Sequence, residues 1–292
     1  MGSDPTSRPP CVVTVAGSDS GGGAGIQADL KTFTALNVYG ASVVTALTAQ
    51  NTKGVQDIHI PPISFIEQQM ESVLSDIKIA ALKTGMLPSP AIIRSVAQSV
   101  RRYEIPFVVV DPVLVATSGD SLVRDDTRNA LIANLFPIAT VITPNLPEAE
   151  KLTEMRIESP SDVRRACETL IGMGCNAVLL KGGHTFESYL EDDSLDERID
   201  ASVASDILYD GKSFEVFSRP RVDTKNTHGT GCTLSAAITA FLAQGKNMRD
   251  AVAEAKTFVF RGIQDGIDVG QGNGPLNHMH AIPEYNAYSE VP

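Results

Sequence analysis

One short stretch carries groups that can hold and move a phosphoryl unit: Thr224-Lys-Asn-Thr-His-Gly-Thr-Gly-Cys-Thr-Leu-Ser235. Gly229, Thr230 and Gly231 stand just ahead of a run in which Leu234, Ala237, Ile238, Phe241 and Leu242 recur at helical spacing. That spacing predicts one face of an amphipathic helix, with Gly245 placed to end it. The first turn of such a helix has N–H groups without intrahelical acceptors. The helix dipole adds positive potential there, so a phosphate-like anion is stabilised. The glycines let the backbone approach the anion closely. Cys232 sits at the same helix end, where a thiol is expected to be more acidic than the usual pKa of about 8.5. An anion cradle beside a potential base suits phosphoryl transfer to a hydroxyl group. The competing reading of Cys232 is a small buried hydrophobe, which is how Cys11, Cys167 and Cys175 are read.

The elements that must position this loop alternate along the chain. Strands are predicted over 11–16, 38–47, 79–83, 107–111, 140–143 and 177–181, and helices over 24–36, 63–77, 90–103, 125–135 and 161–173. Such alternation predicts a parallel sheet with helices on both faces. Residues 207–209 and 214–217, joined through Asp210-Gly211, read as a small hairpin, with two helices after it. Gly17, Gln50, Lys83, Asp111, Asn145 and Lys181 all fall at predicted strand ends. In an open parallel sheet the carboxyl ends of the strands share one edge, where ligands bind.

Several of these residues have plain structural alternatives. Gln50 can read a polar ring edge with its donor and acceptor, or simply satisfy a strand end. Met86 and Val113, taken alone, read as core. Asp111 follows an apolar strand, where an unpaired charge is costly, so it needs a cation, a metal or several donors. Glu148 begins a helix, where an acidic residue also serves as a cap. Lys181 is the only cation in Val178-Leu-Leu-Lys-Gly-Gly, placed to neutralise phosphate or to snorkel to the surface. Gly23-Ala-Gly-Ile-Gln-Ala28 fits a dinucleotide fingerprint, but the region about 20 residues on, Thr45-Ala-Leu-Thr-Ala-Gln-Asn-Thr52, holds no carboxylate for a ribose. The sequence contains no G-x-x-x-x-G-K-[ST], so a Walker-type phosphate loop is excluded.

Composition sets the outer bounds. The 292 residues, 42% hydrophobic, fit one α/β domain, predicted over 11–282 with tails at 1–10 and 283–292. A net charge of −11 argues against nucleic-acid or anionic-membrane partners. The segment 185–205, rich in Asp and Glu, is expected to be a flexible acidic loop. No apolar run is long enough for a bilayer, the N-terminus lacks a signal pattern, and four scattered cysteines fit a reducing cytoplasm.

Six further blocks extend the reading: Ala16-Gly-Ser-Asp-Ser-Gly-Gly-Gly-Ala-Gly-Ile-Gln-Ala-Asp29, Thr48-Ala-Gln-Asn-Thr52, Lys83-Thr-Gly-Met86, Val110-Asp-Pro-Val113, Thr143-Pro-Asn-Leu-Pro-Glu148 and Lys181-Gly-Gly-His184. With the 224–235 loop, they resemble hydroxymethylpyrimidine/phosphomethylpyrimidine kinases of thiamin biosynthesis, a branch of the ribokinase-like superfamily. The resemblance covers nearly the whole chain, from about Val12 to His280. It implies a three-layer αβα sandwich with a mostly parallel sheet and a small β-hairpin. It also implies ATP and Mg2+ as cofactors (a monovalent cation being an open addition), a homodimer, and a small pyrimidine alcohol as substrate. Carried over residue by residue, it places Gly17, Ala24, Asp29, Gln50, Met86 and Val113 at the substrate, and Asn145, Lys181, Thr230 and Gly231 at nucleotide phosphates. Asp111 and Glu148 fall at the metal, and Lys181, Gly229, Thr230, Gly231 and Cys232 at the transfer step, with Cys232 as proton acceptor. His228 is read as shaping the turn. Thr48 departs from the family, which often has valine there. A pyridoxal-type kinase of the same fold is the alternative, and a non-catalytic vitamin-binding protein a more distant one. The chain is expected to lack a fused thiaminase-like or thiamin-phosphate synthase partner.

Overall fold

A computed structural model describes residues 8–114, 125–182 and 202–282. Among the described residues, nine strands form one sheet in the order β3-β2-β1-β4-β5-β6-β7-β8-β9. The parallel centre comprises β1 (Cys11–Asp19), β2 (Tyr39–Asn51), β4 (Ala81–Thr84), β5 (Phe107–Val110), β6 (Val141–Ile142) and β7 (Val178–Lys181). The antiparallel strands β3 (Gly54–His59), β8 (Val203–Tyr209) and β9 (Phe214–Pro220) extend its two ends. The predicted hairpin is therefore β8–β9, and it continues the main sheet. The acidic segment 185–205 lies outside the described residues as far as 201, while 203–205 already belong to β8. The tails 1–7 and 283–292, and His184, also lie outside them.

Strand alternation divides the core. Val108 and Val110 pack with α2 (Ile63–Leu74), α3 (Pro90–Arg102), α4 (Asp125–Asn134), α5 (Leu146–Thr153) and α6 (Pro160–Gly172) on one face. Val109 points the other way, toward α7 (Thr230–Ala243) and α8 (Met248–Gln264), beside which α1 (Gly25–Ala35) also packs. The result is the expected three-layer sandwich. Local chemistry sets the helix starts: Ser89 caps α3 by accepting from the Ile92 amide, with Pro90 at the first helical position. Ile92, Ile93, Val96, Ala97 and Val100 then form its buried stripe.

Two readings need correction. The helix after the glycine loop is not amphipathic: all residues from Thr233 to Leu242 are buried, because α7 is wedged between the sheet, α1 and α8. Strand β3 was not foreseen. Its mixed sequence, with Val55 42% exposed, carries little alternation because it is a sheet edge with weakly buried faces.

The C-terminal segment is anchored on α7 through His278, whose Nε2 lies 2.9 Å from Thr233 Oγ1. Burial, with Lys31 and His280 nearby, pulls the His278 pKa down from 6.5 to about 4. The unfolded chain takes up a proton below 6.5 while the folded protein resists until about 4, so stability is lost as pH falls across that window. The expected loss is about 3 kcal/mol at most, read by urea denaturation. It should shrink in His278→Gln; an equal loss in that variant would place the acid lability elsewhere.

Candidate active site

The glycine loop folds back against the first turn of the chain. Gly229 caps α7 at φ +84°, and a Cβ there would lie 1.9 Å from the Gly23 carbonyl oxygen, so only glycine fits. Asp19, at the end of β1, ties the turns together. Its carboxylate accepts from the amides of Gly21 (2.8 Å), Gly23 (3.1 Å) and Ala24 (2.8 Å), and lies 2.9 Å from His228 Nε2. Burial opposes ionisation of Asp19, but His228 and the amides hold its pKa below the usual value. His228 is further pinned by its amide, which donates to the Gly274 carbonyl at 3.0 Å.

Two cavities open on either side of this loop. The larger, about 570 Å³, is lined by Asn145, Lys181, Arg219, Thr230, Gly231 and Lys256, with Val222, Leu234, Val259 and Phe260 on its apolar side. The smaller, about 240 Å³, is lined by Gly17, Ala24, Gln50, Met86, Val113, His228 and Cys232. Gly231 faces one cavity and Cys232 the other, so one peptide link separates them.

Charged groups converge beneath that link. Lys181 Nζ lies 3.1 Å from Asp111 Oδ1 and 4.0 Å from Glu148 Oε2. Asp111 also accepts from Thr143 Oγ1 (3.1 Å) and Ser235 Oγ (3.3 Å). Burial opposes charge on both Lys181 and Asp111, yet each holds the other ionised: the lysine pKa is raised and the carboxyl pKa lowered. Glu148 is different. Burial, reinforced by Asp111 and only partly offset by Lys181, lifts its pKa to about 7. The same carboxylate accepts from the Asn145 amide at 2.8 Å while Asn145 Oδ1 accepts from the Glu148 amide at 2.9 Å, a complete capping box on α5.

Four placements differ from the sequence reading. Asp29 does not line the smaller cavity. It is fully buried beneath it, in an ion pair with Lys83 at 2.8 Å and accepting from Thr14 Oγ1 at 2.6 Å. Gly229 lines neither cavity and acts as the hinge of the turn. Thr230 faces the larger cavity, but its amide and hydroxyl both turn back to the Thr227 carbonyl, at 3.3 and 2.7 Å. Asp111 and Glu148, by contrast, are brought together at Lys181 as the two carboxylates of the metal reading; both are 3% exposed, and no group of three or more His, Cys, Asp or Glu that could hold a metal ion is found among the described residues. Finally, Cys232 is not acidified: burial, with Asp29 and Asp111, outweighs Lys83 and the Gly25 amide and pushes the thiol up to about 11. Cys167 and Cys175 are buried as read, whereas Cys11 is only partly so.

Asp19 and Lys83 are the structural residues that sequence reasoning missed. For Asp19 a signal existed, since an Asp followed by several glycines favours side-chain bonds to the next amides. Lys83 was read only as part of the ligand edge, and nothing in its own strand shows that it is buried against Asp29. Its charge is sustained against burial chiefly by Asp29.

The phosphomethylpyrimidine kinase family profile matches residues 19–277. This chain belongs to that family. It is 45% identical over 271 residues to the hydroxymethylpyrimidine/phosphomethylpyrimidine kinase of Rhizobium meliloti, covering 92% of this chain and 96% of that one. It is 48% identical to the thiamine biosynthesis bifunctional protein ThiED of Geobacter sulfurreducens, over 94% of this chain but 53% of that protein, so it spans about half the length of this bifunctional relative. Among solved structures, the phosphomethylpyrimidine kinase of Clostridium difficile is 41% identical with a TM-score of 0.72, covering 86% of this chain and 98% of that one. A pyridoxal kinase from Staphylococcus aureus in complex with AMP-PCP is 35% identical with a TM-score of 0.83, covering 94% and 95%. The kinase reading and the ribokinase-like fold class are thereby borne out. Family membership implies ATP as phosphoryl donor, used with a divalent metal ion.

The buried Lys83–Asp29 pair is expected to dominate local stability. Lys83→Met strands a carboxylate and should cost about 3–5 kcal/mol by urea denaturation. Adding Asp29→Leu should recover much of that loss; no recovery would show that the pair is not the origin of the effect.

Proposed function

We propose that the chain transfers the γ-phosphoryl group of ATP to the hydroxymethyl oxygen of 4-amino-5-hydroxymethyl-2-methylpyrimidine. A second round would extend the monophosphate to the diphosphate. The observation that carries this reading is the adjacency of Gly231 and Cys232 across the two cavities. The larger cavity, with its lysines, arginine and apolar side, takes the nucleotide. The smaller, with Gln50 between apolar Met86 and Val113, takes the ring. A phosphoryl group crossing between them passes the first turn of α7, where the Gly231 and Cys232 amides meet developing charge. Lys181 supports the same oxygens, and Asn145 lies beside them.

Asp111 and Glu148 are the residues that would hold magnesium. Two buried carboxylates share one lysine, which leaves negative charge for a cation that keeps several waters and binds through phosphates. When bound, the ion would neutralise phosphate charge. Cys232 accepts the hydroxyl proton in its thiolate form, which a pKa of about 11 makes scarce at neutral pH. Positioning and charge stabilisation therefore carry most of the rate, with the thiol adding a smaller factor.

Cytoplasmic location and a homodimer complete the proposal. Among the described residues no helix is long and apolar enough to cross a membrane. Leu47, Val55, Ile60, Ile63 and Phe65 are exposed around the β3 edge and suit a subunit contact.

Product analysis with the pyrimidine alcohol, ATP and magnesium tests the assignment, with pyridoxal as parallel acceptor because of the pyridoxal kinase likeness. Mono- and diphosphate of the pyrimidine are expected; turnover of pyridoxal alone would move the assignment to the second reading. Cys232→Ala should cut kcat by roughly 10²–10⁴ with little change in ATP affinity. In the wild type kcat/KM should keep climbing as pH rises toward about 11 and thiolate forms, and this climb should vanish in the variant. A profile shared by both proteins would remove the thiol as base. Gln50→Ala should raise KM for the pyrimidine far more than for ATP, and equal increases would put the ring elsewhere.

A further inference from the structure

His228 Nε2 faces two neighbours at once: Asp19 Oδ2 at 2.9 Å and the Gln50 carboxamide at 3.3 Å. Asp19 already accepts three backbone N–H groups and is held ionised by its surroundings. A carboxylate has no hydrogen to offer, so the hydrogen in the Asp19 contact belongs to His228 Nε2. That nitrogen then has no lone pair left for Gln50. As placed, Gln50 directs Nε2 at His228 Nε2 and Oε1 at Thr48 Oγ1, 3.0 Å away. Two donors would thus oppose each other.

The two orientations of a carboxamide fill the same volume, and its partners decide between them. Turned over, Gln50 accepts at Oε1 from His228 Nε2–H, in a bond shared with Asp19, and donates from Nε2 to Thr48 Oγ1. Thr48 suits this role, because its single hydroxyl hydrogen is given to the Ser18 carbonyl at 2.9 Å and its oxygen accepts. Every group is then satisfied.

We propose that Asp19 and His228 clamp the Gln50 amide with its oxygen toward the glycine loop and its nitrogen toward Thr48, and that this fixed orientation selects rings with an amidine edge. The proposal rests on the reading of the smaller cavity as the pyrimidine site. Held in this way, Gln50 keeps one N–H and one oxygen lone pair for a ligand. A ring nitrogen beside an exocyclic amine matches that pair in one orientation only; the ring turned over sets donor against donor. A pyridine alcohol without an amine beside its ring nitrogen cannot form the pair. Asp19 and His228 are positioning residues acting through Gln50. Because His228 belongs to the loop that carries Gly231 and Cys232, the clamp also registers the ring against the transfer site.

Wild type, His228→Leu and His228→Gln are compared with hydroxymethylpyrimidine and pyridoxal under saturating ATP. In His228→Leu the ratio of kcat/KM for the pyrimidine to that for pyridoxal should fall about tenfold, the size of one hydrogen bond, mainly through KM. His228→Gln, whose amide nitrogen reaches the Nε2 position, should restore most of the ratio. An unchanged ratio in His228→Leu overturns the clamp, since general damage to the loop slows both acceptors alike. Nitrogen NMR of the His228 ring gives an answer that needs no acceptor. A protonated Nε2 at neutral pH supports the clamp, and an unprotonated one overturns it even if the kinase reading stands. Failure of the wild type to phosphorylate the pyrimidine would sink the functional reading instead, with the ring measurement still deciding the clamp.

Discussion

A methyl group at Gly229 would collide with the Gly23 carbonyl, and that closeness of two backbones organises everything around it. One backbone belongs to the turn after β1, the other to the turn before α7, and they lie about two hundred residues apart in the chain. Asp19 holds them together with four contacts from a single carboxylate. Without this approach, the ring-sized cavity and the nucleotide-sized cavity would not share a wall one peptide thick. Glycine at both turns follows from sterics, because no side chain can occupy the gap.

The electrostatics beneath the wall follow from topology. Parallel strands end along one edge, so β4, the end of β5, β7 and the first turn of α5 after β6 bring Lys83, Asp111, Lys181 and Glu148 together there. Three carboxylates, counting Asp29, meet two lysines. Burial, reinforced by the neighbouring carboxylates, explains why the Glu148 pKa is lifted to about 7 and why the Cys232 thiol is driven to about 11. This charge balance is poorly suited to a standing thiolate.

Much of this was legible in the chain. Strand and helix order could be read because buried parallel strands are short apolar runs bounded by turn residues, and because helices such as α3 carry caps and a clean stripe. The site blocks could be located because they cluster at strand ends. What escaped depended on contacts between distant segments. Asp29 looked like a ligand contact and Lys83 like part of the ligand edge, since nothing local shows that each neutralises the other. Cys232 looked acidic from its place at a helix start, because local sequence cannot weigh burial and two carboxylates contributed by other elements. Strand β3 is stabilised by pairing along β2 more than by its own pattern.

The burial of α7 on every side has a mechanical corollary. A helix locked between sheet, α1 and α8 cannot shift to follow what arrives, so the wall that bears the sulfur is a fixed jaw. The opposing wall includes the β2–β3 arm, where Thr52, Gly54, Val55 and Ile58 border the smaller cavity from a sheet margin. Any yielding to a bulkier guest must come from that arm. Changes there can resize the chamber across a lineage while leaving the reacting atoms where they are.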